Sequence, residues 1–137
     1  MELEEMIGYL GKQIIAELFE CKTERLNSFS TVKKAMLEAA RASNSTVVRS
    51  VFHKFSPQGI SGVVVVAESH LAIHTWPEYG YAAVDIFTCG EHTKPEEGLK
   101  VLAKLLGAKR VKFKKIKRGL LSEIEDDSRK LLLNANK

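Results

Sequence analysis

The chain is sparing with the residues that staple or interrupt a fold. It has two cysteines, Cys21 and Cys89, far apart and in no Cys-x-x-Cys pair. That excludes a disulfide framework and points to a reducing compartment. No apolar run approaches the roughly 20 residues needed to span a bilayer. The opening Met1-Glu2-Leu3-Glu4-Glu5 is acidic, where a secretory signal would be basic and then apolar. The expectation is therefore a cytoplasmic location and no membrane partner. No dinucleotide fingerprint, phosphate loop or Gly-x-Ser-x-Gly elbow is present, and Gly59-Ile60-Ser61-Gly62 has the wrong spacing for that elbow.

What is present is enough for one globular domain over residues 1–137. At 45% hydrophobic and 28% charged residues, the chain falls in the soluble class and can bury a core without staples. The net charge of +4 is unevenly spread. Lys104, Lys109, Arg110, Lys112, Lys114, Lys115, Lys117 and Arg118 crowd one segment. Such a patch can bind nucleic acid, and a non-enzymatic binding protein is the reading it would support. However, Val111 and Phe113 alternate with Lys112 and Lys114, which reads better as a strand with one solvated face. No nucleic-acid partner is expected.

Periodicity and turn residues predict the order β-α-β-β-β-β-α-β. Met1 to Gly8 is a short lead-in, helical or frayed. Strands are predicted over Lys12–Cys21, Thr46–Phe55, Ile60–Ala67, Ser69–Trp76, Tyr81–Cys89 and Arg110–Lys117. A helix over Ser28–Ser43 has Val32, Ala35, Met36 and Ala39 at helical spacing, with Ser28 or Ser30 to cap it. A second helix over Pro95–Leu106 has proline in its first turn and Gly107 after its end. Ser56-Pro57-Gln58-Gly59 and Pro77-Glu78-Tyr79-Gly80 are breaks. The tail from Ser122 onward, with its apolar Leu131 to Leu133, carries no clear pattern.

The fold class is α+β, a two-layer sandwich of a largely antiparallel sheet with helices on one face. Two helices cover one sheet face, yet Val63 to Val66 is continuously apolar, which predicts burial on both. A second copy of the chain is the simplest cover for the other face.

Immediately after this most apolar run come Glu68, Ser69, His70 and His74. Burying polar groups costs free energy unless they are hydrogen-bonded, so their presence there asks for a chemical reason. Taken singly, each residue has a plain role: Ser69 in a turn, His74 as a satisfied core histidine, Cys89 as a small buried apolar residue, and Phe55 and Trp76 as packing. His70 and His74 share a strand face, but no third ligand is evident, so no metal site is expected.

The set carries more weight than its members. Phe52-His53-Lys54-Phe55, Gly59 to Val65, Glu68-Ser69-His70-Leu71, Ile73 to Tyr81 and Asp85-Ile86-Phe87-Thr88-Cys89-Gly90 run in order, preceded by Leu10-Gly11-Lys12 and Phe19-Glu20-Cys21. This series resembles the prokaryotic pyruvoyl-dependent S-adenosylmethionine decarboxylases over residues 10 to 90. The resemblance implies a proenzyme that cleaves itself between Glu68 and Ser69 into residues 1–68 and 69–137. The Ser69 hydroxyl would attack the Glu68 carbonyl and turn the amide into an ester. Loss of the Cα proton of residue 69 would expel the Glu68 carboxylate. Hydrolysis of the dehydroalanine would then leave a pyruvoyl group and ammonia.

By the same resemblance, His74 is the base of the elimination and Ser61 hydrogen-bonds the reacting carbonyl. Histidine suits proton removal near neutral pH, and a hydroxyl donor suits an oxyanion role. The pyruvoyl group would hold the substrate amine as a Schiff base, and Cys89 would protonate the carbanion left by carbon dioxide. Phe55 and Trp76 are candidates to face adenine and the sulfonium cation, and Glu78 to accept the ribose hydroxyls. The resemblance implies no metal and no pyridoxal phosphate. It also implies a homodimer packed as a four-layer α-β-β-α sandwich, and a product that serves as aminopropyl donor for spermidine synthesis. Members of the family that decarboxylate arginine or other amino acids give the alternative substrate class.

Overall fold

The computed structural model describes residues 8–125 and residue 131. In chain order the elements are β1 (Tyr9–Phe19), α1 (Thr23–Leu26), α2 (Phe29–Ala42), β2 (Val47–Lys54), β3 (Ile60–Val66), β4 (Ser69–Trp76), a 3-10 turn (Pro77–Tyr79), β5 (Tyr81–Cys89), α3 (Pro95–Leu106) and β6 (Arg110–Leu120). The strands form one sheet in the order β2-β3-β4-β5-β1-β6, and every neighbouring pair is antiparallel.

The six strands and two main helices match the expected order. β1 begins earlier than the Lys12–Cys21 expected, because Tyr9 pairs with Leu120 of β6, and ends earlier, because Glu20 takes a left-handed φ of 55°. β6 runs three residues past Lys117, paired to the start of β1. The one-turn α1 and the 3-10 turn are additions to the expected order. Of the lead-in, only Gly8 is among the described residues. Residues 121–125 are helical, and most of the tail lies outside the described residues.

α2 starts where Ser28 Oγ accepts the Thr31 N–H at 3.2 Å, a cap worth about 1 kcal/mol. It buries Val32, Ala35, Met36, Ala39 and Ala40, a stripe at helical spacing. α3 buries Leu99, Leu102, Ala103 and Leu106 and ends at Gly107, whose φ of 71° is left-handed. Both helices lie against one sheet face, made of Ile14, Ala16, Leu18, Val64, Val66, Leu71, Ile73, Ala82, Val84 and Ile86.

α2 and α3 also pack on each other at Gly98, where an added Cβ would stand 1.9 Å from Ser43 Oγ and 2.7 Å from the Ala39 carbonyl oxygen. A backbone atom cannot swing away. Gly98→Ala is therefore expected to lower stability by about 1–3 kcal/mol, read as a lower urea midpoint. An unchanged midpoint would mean that the two helices do not meet as closely as described.

The expectation that Val63 to Val66 is buried on both faces does not hold within one chain. Val64 and Val66 are buried, but Val63 and Val65 are 38% and 43% exposed. The strand alternates because α2 and α3 cover one side only. Val51, Val63, Val65, Ile15 and Ile116 are apolar and exposed, and strand pairing puts them on the side away from the helices. β6 occupies the sheet edge, as expected for the basic segment, but both of its faces are exposed, Val111 and Phe113 included, rather than the one solvated face expected. Lys115 reaches Glu96 of α3 on the helix side, while Lys112 and Lys114 pair in register with Glu17 and Ile15 on the open side.

Candidate active site

Residues 67–68 form a two-residue turn between β3 and β4, with Val66 paired to Ser69. Ser69 has a φ of 144°. A side chain strains this backbone, at a typical cost of about 1–3 kcal/mol. The strain has a geometric result. Ser69 pairs with Thr88, which is fully buried on the helix side, and a regular strand would point Ser69 there too. Instead its hydroxyl oxygen lies 3.5 Å from Cys89 Sγ, a side chain of the open face. The expected neighbours Ser69 and Cys89 are thus brought together by an irregularity that strand parity would not produce.

The Glu68 carbonyl is held as well. Its oxygen accepts the Cys89 N–H at 2.9 Å. This is the carbonyl that a Ser69 attack would convert to an oxyanion, so the Cys89 backbone occupies the place of an oxyanion donor. Gly11, paired with Cys89 on β1, lets the Phe87 ring and the thiol pack on its backbone: a Cβ there would stand 2.7 Å from the Phe87 ring and 3.3 Å from Cys89 Sγ.

The Glu68 carboxylate accepts the Thr46 N–H at 2.9 Å and lies 2.9 Å from His92 Nε2. The Thr46 amide, and after it the His92 ring, hold this carboxyl below the usual carboxylate range. Neither His92 nor the Cys89 amide is found by reading residue types. An amide has no signature in sequence, and His92 is marked only by standing three places after Cys89.

The other expected residues gather elsewhere. Ser61 and His74 face each other across β3 and β4, with Ser61 Oγ 2.7 Å from His74 Nδ1. Around them Phe55, Gln58, Gly59, Thr75, Trp76 and Glu78 line a hollow of about 300 Å³. Its floor is fixed by Thr75, whose hydroxyl accepts the Ile60 N–H and donates to the Leu26 carbonyl, both at 2.9 Å. Asn27 Oδ1 accepts the Gly59 N–H at 3.0 Å and so holds the turn beside Phe55. Trp76 stacks on Tyr81, with ring centroids 5.4 Å apart. Burial, and then the Glu17 carboxylate that its hydroxyl donates to at 2.7 Å, push the Tyr81 phenol up to about 12.

The two clusters therefore lie at opposite ends of β4. Five residue steps of extended chain separate Ser69 from His74, roughly 16 Å. Within one chain His74 does not reach the serine that it is expected to serve.

Three comparisons bear on this arrangement. Residues 12–119 match the family model described as S-adenosylmethionine decarboxylase. The chain is 55% identical over 114 residues to an S-adenosylmethionine decarboxylase proenzyme of Pseudomonas aeruginosa (strain LESB58), covering 83% of this chain and 71% of that one. It is 50% identical over 115 residues to the protein of the same name from Thermotoga petrophila, covering 84% and 88%. The fold is similar to a crystal structure of the adenosylmethionine decarboxylase from Aquifex aeolicus VF5, with a TM-score of 0.76 and 33% identity over 81% of this chain and 92% of that chain.

Proposed function

The chain belongs to the S-adenosylmethionine decarboxylase family, and from that premise we propose that it is a self-processing proenzyme acting on S-adenosylmethionine. The single observation that carries the processing step is the geometry at Glu68-Ser69. The carbonyl to be attacked sits on the Cys89 N–H, and the attacking residue is strained and turned toward Cys89. Attack of Ser69 Oγ on the Glu68 carbonyl carbon forms the ester C–O bond and breaks the C–N bond, and the amine of residue 69 takes the hydroxyl proton. A base removes the Cα proton of residue 69, the Cβ–O bond breaks, and the Glu68 carboxylate leaves. Water replaces the resulting imine nitrogen, releasing ammonia. Residues 1–68 and 69–137 remain as two chains, with a pyruvoyl group at the head of the second.

The residues around Ser69 fit such a group. The Cys89 thiol lies against residue 69, and the Cys89 N–H already holds the Glu68 carbonyl beside it. The pyruvoyl carbonyl supplies an electrophile for the substrate amine and a sink for the electrons left when carbon dioxide departs. Cys89, in contact with residue 69, is the residue assigned to return a proton to the substrate carbon. Phe55 and Trp76 offer aromatic faces to adenine and the sulfonium, and Glu78 offers a carboxylate to the ribose hydroxyls. The product would supply the aminopropyl group for spermidine synthesis. Two cysteines without a disulfide suit the cytoplasm.

The separation of the clusters is best met by a homodimer. A two-fold axis lying across the strands would set the open faces together and bring the Ser69 end of one sheet over the Ser61–His74 end of the other. Isologous packing then makes two equal sites. Each takes its nucleophile and Cys89 from one protomer, and His74, Ser61, Phe55, Trp76 and Glu78 from its partner. It also covers Val63 and Val65, completing a four-layer α-β-β-α sandwich.

The test is a decarboxylation assay with S-adenosylmethionine, arginine and ornithine side by side. Wild-type protein is expected to release carbon dioxide from S-adenosylmethionine at least about a hundredfold faster than from the amino acids, a contrast within reach when a site pairs polar groups that only one substrate has. Cys89→Ala should cleave into two chains yet lose about two to four orders of magnitude in turnover, the range for a general acid. Preference for arginine would transfer the function to the alternative class. Full turnover by Cys89→Ala would remove the thiol from the mechanism.

A further inference from the structure

The loop after β5 grips the scissile residue a second time, through its side chain. Gly90 has a φ of 94°, and the His92 ring folds back over it so closely that a Cβ at Gly90 would stand 2.8 Å from His92 Cε1. The loop is itself fastened. Thr93 Oγ1 donates to the Gly90 carbonyl at 2.9 Å, and Lys12 Nζ donates to the Thr93 carbonyl at 2.9 Å. It is tied to the segment between α2 and β2 as well. Asn44 Nδ2 donates to the His92 carbonyl at 2.9 Å, and the Lys94 N–H to the Ser43 carbonyl at 2.8 Å. Glu68 spans the two segments, one carboxylate oxygen on the Thr46 N–H and the other on His92 Nε2. A carboxylate only accepts, so the ring nitrogen is the donor.

We propose that His92 is a positioning residue for self-cleavage: it holds the Glu68 side chain against the Thr46 amide and thereby orients the Glu68-Ser69 peptide for attack. The inference rests on the self-processing reading above. The physical reason is the number of constraints on one residue. The Glu68 carbonyl oxygen is fixed by the Cys89 N–H, but a single hydrogen bond leaves the peptide plane free to rock about it. Fixing the side chain of the same residue at two further points removes that freedom. The Ser69 hydroxyl then meets the carbonyl carbon in one geometry instead of a spread of them. His92 does this without touching the reacting atoms, and its side chain is 53% exposed, so the fold does not depend on it for packing.

The experiment follows cleavage of newly synthesised full-length chain over time by denaturing electrophoresis. His92→Ala is expected to cleave about ten- to a hundredfold more slowly than wild type, the cost of a loosened reacting geometry. His92→Gln, whose amide can present an N–H close to the place of Nε2, should recover to within about threefold. A Glu68→Ala, His92→Ala double variant should be no slower than Glu68→Ala alone, because the second change removes a contact already lost. Wild-type rates for His92→Ala, failure of glutamine to rescue, or additive losses in the double variant would each overturn the proposal while leaving self-processing intact. A wild-type chain that never cleaves would overturn both.

Discussion

Ser69→Ala is expected to remain a single chain of 137 residues and to show no decarboxylation. Alanine keeps the Cβ, so the strain of the φ of 144° persists and the turn has no reason to rearrange. Only the hydroxyl is lost. Without it the Glu68 carbonyl still sits on the Cys89 N–H, but no atom of residue 69 can attack it. Both consequences follow together, since the group that would do the decarboxylation is made from the same side chain. Stability should stay within about 1 kcal/mol of the unprocessed wild-type chain, which separates a lost nucleophile from a lost fold. The readouts are intact mass, urea midpoint and carbon dioxide release. Cleavage of Ser69→Ala at the same bond would show that another group is the nucleophile. Wild-type protein that is fully active while uncleaved would end the proposal.

Mixing two inactive variants is expected to restore activity. Ser69→Ala lacks the proposed nucleophile but keeps Ser61 and His74, and His74→Ala lacks the proposed base but keeps Ser69 and Cys89. If each site draws on both protomers, a mixed dimer has one complete site and one that lacks both groups. Random pairing on co-expression makes half the dimers mixed, so about a quarter of wild-type sites should function. Electrophoresis gives a sharper reading, because only the His74→Ala chain should be cleaved, and only in the mixture. The expectation rests on distance. His74 and Ser69 are separated by roughly 16 Å of one extended strand, and neither end of a paired β4 can fold toward the other without breaking the sheet. Absence of any rescue in a demonstrated mixed dimer would mean that each chain completes its own site, and that the base for residue 69 is not His74.

Much of this molecule can be read from local pattern. The helical spacing of Val32, Ala35, Met36 and Ala39, the proline at position 95 and the glycine at 107 place α2 and α3 to within a residue or two, because capping and periodicity act over one or two turns. The alternation in β4 sets Leu71 and Ile73 against His70 and His74 for the same reason. The succession of motifs from Leu10 to Gly90 marks the family, since it names residue types and needs no geometry.

What the chain alone leaves open is whatever depends on strands meeting. β1 is inserted between β5 and β6, and only that pairing puts Gly11 beside Cys89. Parity alone would send Ser69 to the helix side. Only the irregular φ at the hairpin, where the Ser69 hydroxyl meets the Cys89 thiol, turns it to the open face. The Val63 to Val66 run looks uniform in composition, but covering each side is a property of the layers and not of the strand. Local sequence determines which face a residue takes when the strand is regular. Long-range contacts decided where regularity ends, and so divided the expected site into two clusters at opposite ends of one strand.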